Sequence, residues 1–145
     1  MLTSIKTPRR VADHDRALAD TSVIIELDRL GPDGLPESLA ISVITLAELA
    51  AGPHATNEQA ERARRQDRLQ RAEAAFDPLP VDSAVARAYG RLYAATVAMG
   101  RKARGRRALD LLIAATAVAN ELPLYTRNAA DFAGLEDLLE VVSLA

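Results

Sequence analysis

The 145-residue chain has no cysteine and no tryptophan, and only two histidines, His14 and His54. The missing cysteine excludes disulfides, thiolate zinc sites and a thiol nucleophile together, and it fits a reducing cytoplasm. The histidines stand apart from any ligand-like cluster, so acid–base or metal chemistry must rest on carboxylates. Aromatics make up 3% of the chain, which leaves Ala, Leu, Val and Ile to build the core. A dominant sign of charge is also lacking: 18 Lys and Arg against 20 Asp and Glu leave a net charge of −2. There is no global basic field, and a nucleic-acid partner would have to be met by a local patch. No apolar run reaches the length of a membrane span. Arg9 and Arg10 are not followed by the apolar stretch of a signal peptide.

What is present is 49% apolar residues in a length that suits one domain with a real core. Residues 1–16 are polar and mixed and read as a flexible N-terminal arm; residues 17–145 read as a single domain. Short apolar runs at 17–19, 39–44, 124–126 and 140–144 read as strands, with a proline-flanked extended piece at 77–81 as an edge strand. Between them fall helical patterns at 22–30, 45–51, 57–75, 82–99 and 111–119, and a helical turn at 129–132. Gly31-Pro32-Asp33-Gly34 and Gly52-Pro53 supply stops. Thr56-x-x-Gln59 has the spacing of a capping box, and Glu58/Arg62, Glu61/Arg65 and Asp67/Arg71 are i,i+4 pairs in the favoured order. Val85, Ala88, Tyr89, Leu92, Thr96 and Met99 form a core stripe on the helix that Asp82 caps. Short strands alternating with helices indicate an α/β fold: a central, mainly parallel sheet of about four to five short strands with helices on both faces.

The chemistry is organised around Ala19-Asp20-Thr21-Ser22, where an acid sits at the end of the first strand. Three later stretches repeat the theme: Glu48 about one turn into the helix after strand two, Asp110 heading a buried apolar helix, and Asn128 and Asp131 after Leu124-Tyr125-Thr126. In an open α/β sheet, ligands bind outside the carboxyl ends of the strands. Grouped carboxylates repel one another unless a cation neutralises them, and oxygen-only ligands suit magnesium or manganese. The chemistry implied is phosphodiester hydrolysis. Each acid also has a plainer account: Asp20 as a helix N-cap, Asp110 as a favourable charge at a helix N-terminus, Glu48 and Asp131 as solvated surface residues. Their joint placement favours the metal reading for the set.

Arg101-Lys102-Ala103-Arg104-Gly105-Arg106-Arg107 carries five basic residues in seven positions just ahead of Asp110. It reads as a phosphate-backbone contact beside the proposed site, against the alternative of a solvated loop. Base stacking would fall to the few aromatics (Tyr89, Tyr93, Tyr125, Phe132) or to arginine planes.

The stretches around Asp20, Glu48, Asp110 and Thr126–Asp131, with Leu79-Pro80-Val81-Asp82, resemble a PIN domain, most closely a VapC-type toxin of a toxin–antitoxin pair. The resemblance implies a PIN-like α/β/α sandwich and a Mg²⁺- or Mn²⁺-dependent endoribonuclease. Asp20, Glu48 and Asp110 match the family's three principal acids, with Glu48 binding metal directly or through water. Thr21 and Ser22 match polar residues that line such sites, and Thr126 opens the last motif. The family often has a fourth acid two residues after that Thr. Here the position is Asn128, and Asp131 is the nearby substitute. The resemblance also implies a cytoplasmic protein, a homodimer, a VapB-type antitoxin whose tail enters the acidic site, and structured RNA such as tRNA or rRNA as substrate. The alternatives are a non-catalytic RNA- or partner-binding module of the same fold and a phosphoacceptor receiver domain. The latter would want a Lys where Arg127 stands after Thr126. An aspartyl-phosphate phosphatase would want a second Asp where Ser22 stands.

Overall fold

Period-two alternation in runs too apolar to face water on either side is what arranges the centre of the molecule. In β1 (Arg16–Ala19), Ala17 and Ala19 point into one core and Leu18 into the other. In β3 (Leu124–Thr126), Leu124 and Tyr125 divide in the same way. Strands buried on both faces belong in a parallel sheet covered by helices, and that is what forms. The computed structural model describes residues 14–31 and 33–144. Most of the N-terminal arm, Pro32 of the first breaker and Ala145 lie outside the described residues.

The sheet has four strands in the order β2-β1-β3-β4, with β2 at Ser38–Ala40 and β4 at Val141–Ser143. Every neighbouring pair is parallel. Ser42 adds an isolated parallel bridge to Leu79 beyond the end of β2. On the face of Leu18 and Leu124 pack α5 (Ser83–Ala98) and α6 (Arg106–Ala119), through Val85, Ala88, Leu92, Leu111, Ala114 and Ala115 among others. The face of Ala17, Ala19 and Tyr125 is covered by α1 (Thr21–Ile25), α3 (Val43–Ala51) and α4 (Gln59–Ala75), through Val23, Ile24, Leu49 and Ala72.

From β1 the chain crosses to one side, and from β3 it crosses to the other. The two connections part at the carboxyl ends of β1 and β3 and leave a crevice there, the usual ligand position in such sheets. The Asp20 N–H donates to the Tyr125 carbonyl at 3.0 Å, fixing the floor of that crevice.

Several local expectations shift. The first helix is broken at Glu26 into α1 and the short α2 (Leu27–Leu30). Strand two ends at Ala40, because Ser42 turns to cap α3 by accepting from the Thr45 N–H at 3.1 Å. The piece at 77–81 contributes only the Leu79 bridge, because Pro78 and Pro80 have no N–H to donate. The capping box is not made. A 3-10 turn at Gly52–Ala55 leaves Thr56 extended and two residues early, so its hydroxyl accepts from the Glu58 N–H instead, and α4 starts at Gln59. Glu61/Arg65 and Asp67/Arg71 pair as expected, but Arg62 donates to the Thr56 carbonyl and Glu58 meets Arg64. Met99 closes the α5 stripe at 40% exposure rather than in the core. At the chain's start, His14 Nε2 lies 2.8 Å from Glu140 Oε2, and the Asp15 carbonyl accepts from the Ser38 N–H.

Candidate active site

Asp20 ends β1 and is the N-cap of α1, with Oδ1 accepting from the Val23 N–H at 3.3 Å. The plain capping account is therefore correct, and it is incomplete. The Ser22 hydroxyl donates to Oδ1 and the Thr126 hydroxyl to Oδ2, each at 2.5 Å. Both hydroxyls are themselves oriented by the backbone: Ser22 Oγ accepts from the Arg127 N–H at 3.1 Å, and Thr126 Oγ1 from the Asn128 N–H at 2.9 Å. A hydroxyl that accepts from an amide has its one proton free for a carboxylate. Asp20, only 7% exposed, is thus a rigid carboxylate. Three of its roughly four lone-pair positions are taken, and the last is on Oδ2.

Glu48 lies on α3, in its second turn. Its Oε1 accepts from the Thr21 hydroxyl, which also lies 3.1 Å from the fully buried Thr45 hydroxyl. Thr21 has one proton and a carboxylate can only accept, so Thr45 donates to Thr21 and Thr21 to Glu48. The relay Thr45–Thr21–Glu48 holds the glutamate from α1. Thr45 is a supporting residue that sequence reasoning missed; a hydroxyl inside the apolar run Val43–Leu49 was the available signal.

Asp110 differs from its expected place. Helix α6 begins at Arg106, so Asp110 lies one turn inside it rather than at its head. The dipole account weakens accordingly, since that effect falls off within the first turn. Among the described residues Asp110 has no hydrogen-bond partner, and its carboxyl is pushed up to about 6. Burial is the largest cause; repulsion from Asp131, Glu48 and Asp20 adds to it, and Arg106 opposes it.

These residues meet. Asp20, Thr21, Ser22, Glu48, Arg106, Asp110, Ile113, Asn128 and Asp131 line one cavity of about 50 Å³, room for a few waters. Thr126 stands behind it, through Asp20. Among the described residues no three acid or histidine side chains form a ready-made metal cage; the acids line an open, oxygen-rich recess.

The basic run divides. Arg106 lines the cavity. Arg107 donates to the Asp131 carbonyl at 3.0 Å and Arg101 to the Ala133 carbonyl at 3.2 Å, holding the segment that carries Asp131. Lys102 and Arg104 are exposed and do not line the cavity. Two aromatics offered for base stacking are unavailable, since Tyr125 and Phe132 are core residues. Tyr89 and Tyr93 lie together on α5, with ring centroids 6.1 Å apart, and neither lines the cavity.

Comparison with known proteins gives the family. Residues 17–137 match the PIN domain family. Ribonuclease VapC5 of Mycobacterium tuberculosis is 37% identical over 125 residues, covering 84% of this chain and 89% of that protein. Ribonuclease VapC8 of the same organism is 43% identical over 101 residues, covering 69% and 88%. A solved structure from VapBC-5, a member of the VapBC family of toxin–antitoxin systems from M. tuberculosis, superposes with a TM-score of 0.76 at 35% identity, covering 90% of this chain and 98% of its own. A family match over most of the chain, with relatives at these identities and coverages, establishes that the protein belongs to the PIN domain family, among the VapC ribonucleases.

Proposed function

We propose that the protein is a Mg²⁺- or Mn²⁺-dependent endoribonuclease toxin neutralised by a VapB-type antitoxin. The observation that carries this is the meeting of Asp20, Glu48, Asp110 and Asp131, from four separate segments, on one small polar cavity at the β1/β3 crevice. The donor set fits a hard divalent cation: every acidic wall offers oxygen, one position remains on Asp20 Oδ2, and Asp110 carries a charge its acidic neighbours oppose. An open recess suits magnesium, which typically keeps several of its waters.

Asp20 and Asp110 would hold the cation. The chemistry such a cation would supply is a water of lowered pKa and an offset to the charge gathering on the phosphate. Glu48, held by Thr21, would accept a proton from the attacking water or help hold the cation through a water. Asp131 and Asn128 complete the polar wall. Arg106, which lines the same cavity as the acids, would contact the phosphate. In-line attack by water forms a new P–O bond and breaks the bond to O3′, which takes up a proton. The products are a 5′-phosphate and a 3′-hydroxyl. No 2′-hydroxyl is needed as nucleophile, so the preference for RNA rests on the ribonuclease relatives. Structured RNA such as tRNA or rRNA is the substrate class we favour, and it would be met in the cytoplasm.

The antitoxin reading rests on solved structures of a toxin–antitoxin system member and of a toxin–antitoxin complex that resemble this chain. A recess of about 180 Å³ between α1/α2 and α4, lined by Ile24, Ile25, Leu27, Ala72, Ala75 and Phe76 with Arg68, Arg71 and Asp28, lies away from the acids and suits an apolar side chain of such a partner. For a homodimer, the exposed Tyr93 and Val97, one turn apart on α5, are the surface a second copy would cover.

The test is cleavage of total RNA by purified protein during Mg²⁺ and Mn²⁺ titration. Metal-dependent cleavage lost in both Asp20→Asn and Asp110→Asn is the expected result. Binding of RNA without any cleavage would favour the non-catalytic module. Undiminished cleavage in either variant would place the activity elsewhere.

A further inference from the structure

The chain has no cysteine and two methionines. Met1 lies outside the described residues, so Met99 carries the one sulfur atom among them. It follows the last turn of α5 as its C-cap and is 40% exposed. Its Sδ, Cγ and Cε crowd the space that a Cβ at position 134 would fill. Gly134 is therefore required twice, by its φ of 91° and by the thioether seated on it.

This contact is one of three by which residues 99–107 hold the segment that carries Asp131. The other two are the hydrogen bonds from Arg101 to the Ala133 carbonyl and from Arg107 to the Asp131 carbonyl. Both are exposed, so water competes for them. Phe132 and Leu135 anchor the segment from the core side. Asp131 itself is exposed and lines the acid cavity. Met99 is thus the apolar member of an otherwise polar, solvated clamp.

Resting on the cation-site reading of that cavity, we propose that Met99 is a reversible oxidation site whose sulfoxide loosens the Asp131 segment and raises the cavity's demand for metal. The oxidant class is a peroxide. The thioether sulfur attacks one peroxide oxygen, an S–O bond forms and the O–O bond breaks. The second oxygen leaves as water; sulfur loses two electrons and the peroxide gains them. The product is polar where the thioether was apolar. Its new oxygen needs a donor, and the Gly134 N–H is already engaged by both Glu136 carboxylate oxygens at 3.0 and 3.1 Å. The sulfoxide must turn to water for its hydrogen bonds, and the seat on Gly134 is lost. With no thiol in the chain, no cysteine competes for the oxidant.

The test treats the full chain with hydrogen peroxide, removes the peroxide, and locates the added oxygen by peptide mass. Met99 should be oxidised. Amide exchange over 128–135, followed by mass, should then be at least about threefold faster, with α4 unchanged. The melting point in chelator should fall by about 2–4 °C. The Mn²⁺ concentration giving half of the metal-induced melting shift should rise about two- to fivefold, the effect of one solvent-screened charge. Methionine sulfoxide reductases should reverse all three. Met99→Leu, a swap of similar volume, should resist all three while Met1 is still oxidised. Oxidation confined to Met1, an oxidised Met99 with unchanged exchange at 128–135, or an equal response in Met99→Leu overturns the proposal. Cleavage of RNA is scored separately. Cleavage without the Met99 response removes the oxidation site and keeps the nuclease; the exchange response without cleavage or metal-induced melting keeps the clamp and removes the nuclease reading.

Discussion

Asp20 and Asp110 face one cavity and are held in opposite ways. Asp20 accepts from two hydroxyls and an amide, all oriented by the backbone around β1 and β3. Asp110, on α6, accepts from nothing among the described residues and is repelled by the other three acids. One carboxylate is built into the fold as a fixed acceptor. The other is a charge the metal-free fold tolerates at a cost. On the metal-dependent reading proposed above, the first would give the site its geometry and the second a reason to take up a cation. A cavity with only the first kind would be a structural cap; with only the second it would have no fixed point of reference.

The sharpest way to break this comparison is to neutralise each acid in turn. Asp20→Asn and Asp110→Asn should both reduce cleavage by on the order of 10²–10³-fold, the usual loss of one electrostatic group at a reacting centre. Their stabilities should move in opposite directions. Asn at position 20 keeps the helix cap, but its NH2 faces one of two inward-pointing hydroxyl protons, costing about 1–3 kcal/mol. Asn at position 110 removes repulsion, and the metal-free protein should gain about 1 kcal/mol at neutral pH, the half-buried position reducing the full effect. Thermal melts with a chelator measure both. A loss of stability in Asp110→Asn would mean that an unrecognised partner satisfies that carboxylate.

The pH dependence sharpens the same contrast. The Asp110 carboxyl titrates near 3.8 in an unfolded chain and at about 6 in the folded protein. Between these values the folded state holds a proton that the unfolded chain has released. Stability from this group therefore falls as pH rises through that window and stays low above it. The advantage of Asp110→Asn over the unmutated protein should be full at pH 7 and vanish by about pH 4. Groups shared by the two proteins cancel in that difference, including Glu61, which Arg65 and Arg64 hold below the usual range. Mg²⁺ or Mn²⁺ should raise the melting temperature of the unmutated protein at pH 7 and much less at pH 5, because the cation competes with the proton.

The fold was readable because its strands are short apolar runs between strong breakers, and because parallel strands advertise burial on both faces. Asp20 and the Thr126–Asp131 segment could be placed from that pattern alone, since each directly follows a strand. Asp110 was found but set one turn too early. Arg106 and Arg107 look like loop charges in a linear reading, yet Gly105, at φ 69°, lets the chain turn into the helix just before them. The failed capping box at Thr56 has the same origin: a 3-10 turn decided by Gly52-Pro53 overrode a good local spacing. Relay contacts such as Thr45–Thr21–Glu48 depend on elements meeting across the fold, and linear spacing carries no trace of them.

The smallest expected effect concerns the wall where sequence and family diverge. Asn128 and Asp131 both line the cavity, and both are exposed. Only Asp131 carries charge, and it is the strongest single repulsion felt by Asp110. Because the Asn128 backbone N–H orients the Thr126 hydroxyl, substitution of the side chain leaves that link in place. Asn128→Asp should therefore lower the metal concentration needed for half-maximal cleavage by about two- to fivefold, the effect of one solvent-screened charge. Asp131→Asn should raise it by a similar factor. If Asp131→Asn leaves metal activation untouched while Asn128→Asp improves it, the position two residues after Thr126 is where a cation would gain most from a further acid. Asp131 would then act on the site only through the segment that Arg107 and Arg101 hold in place.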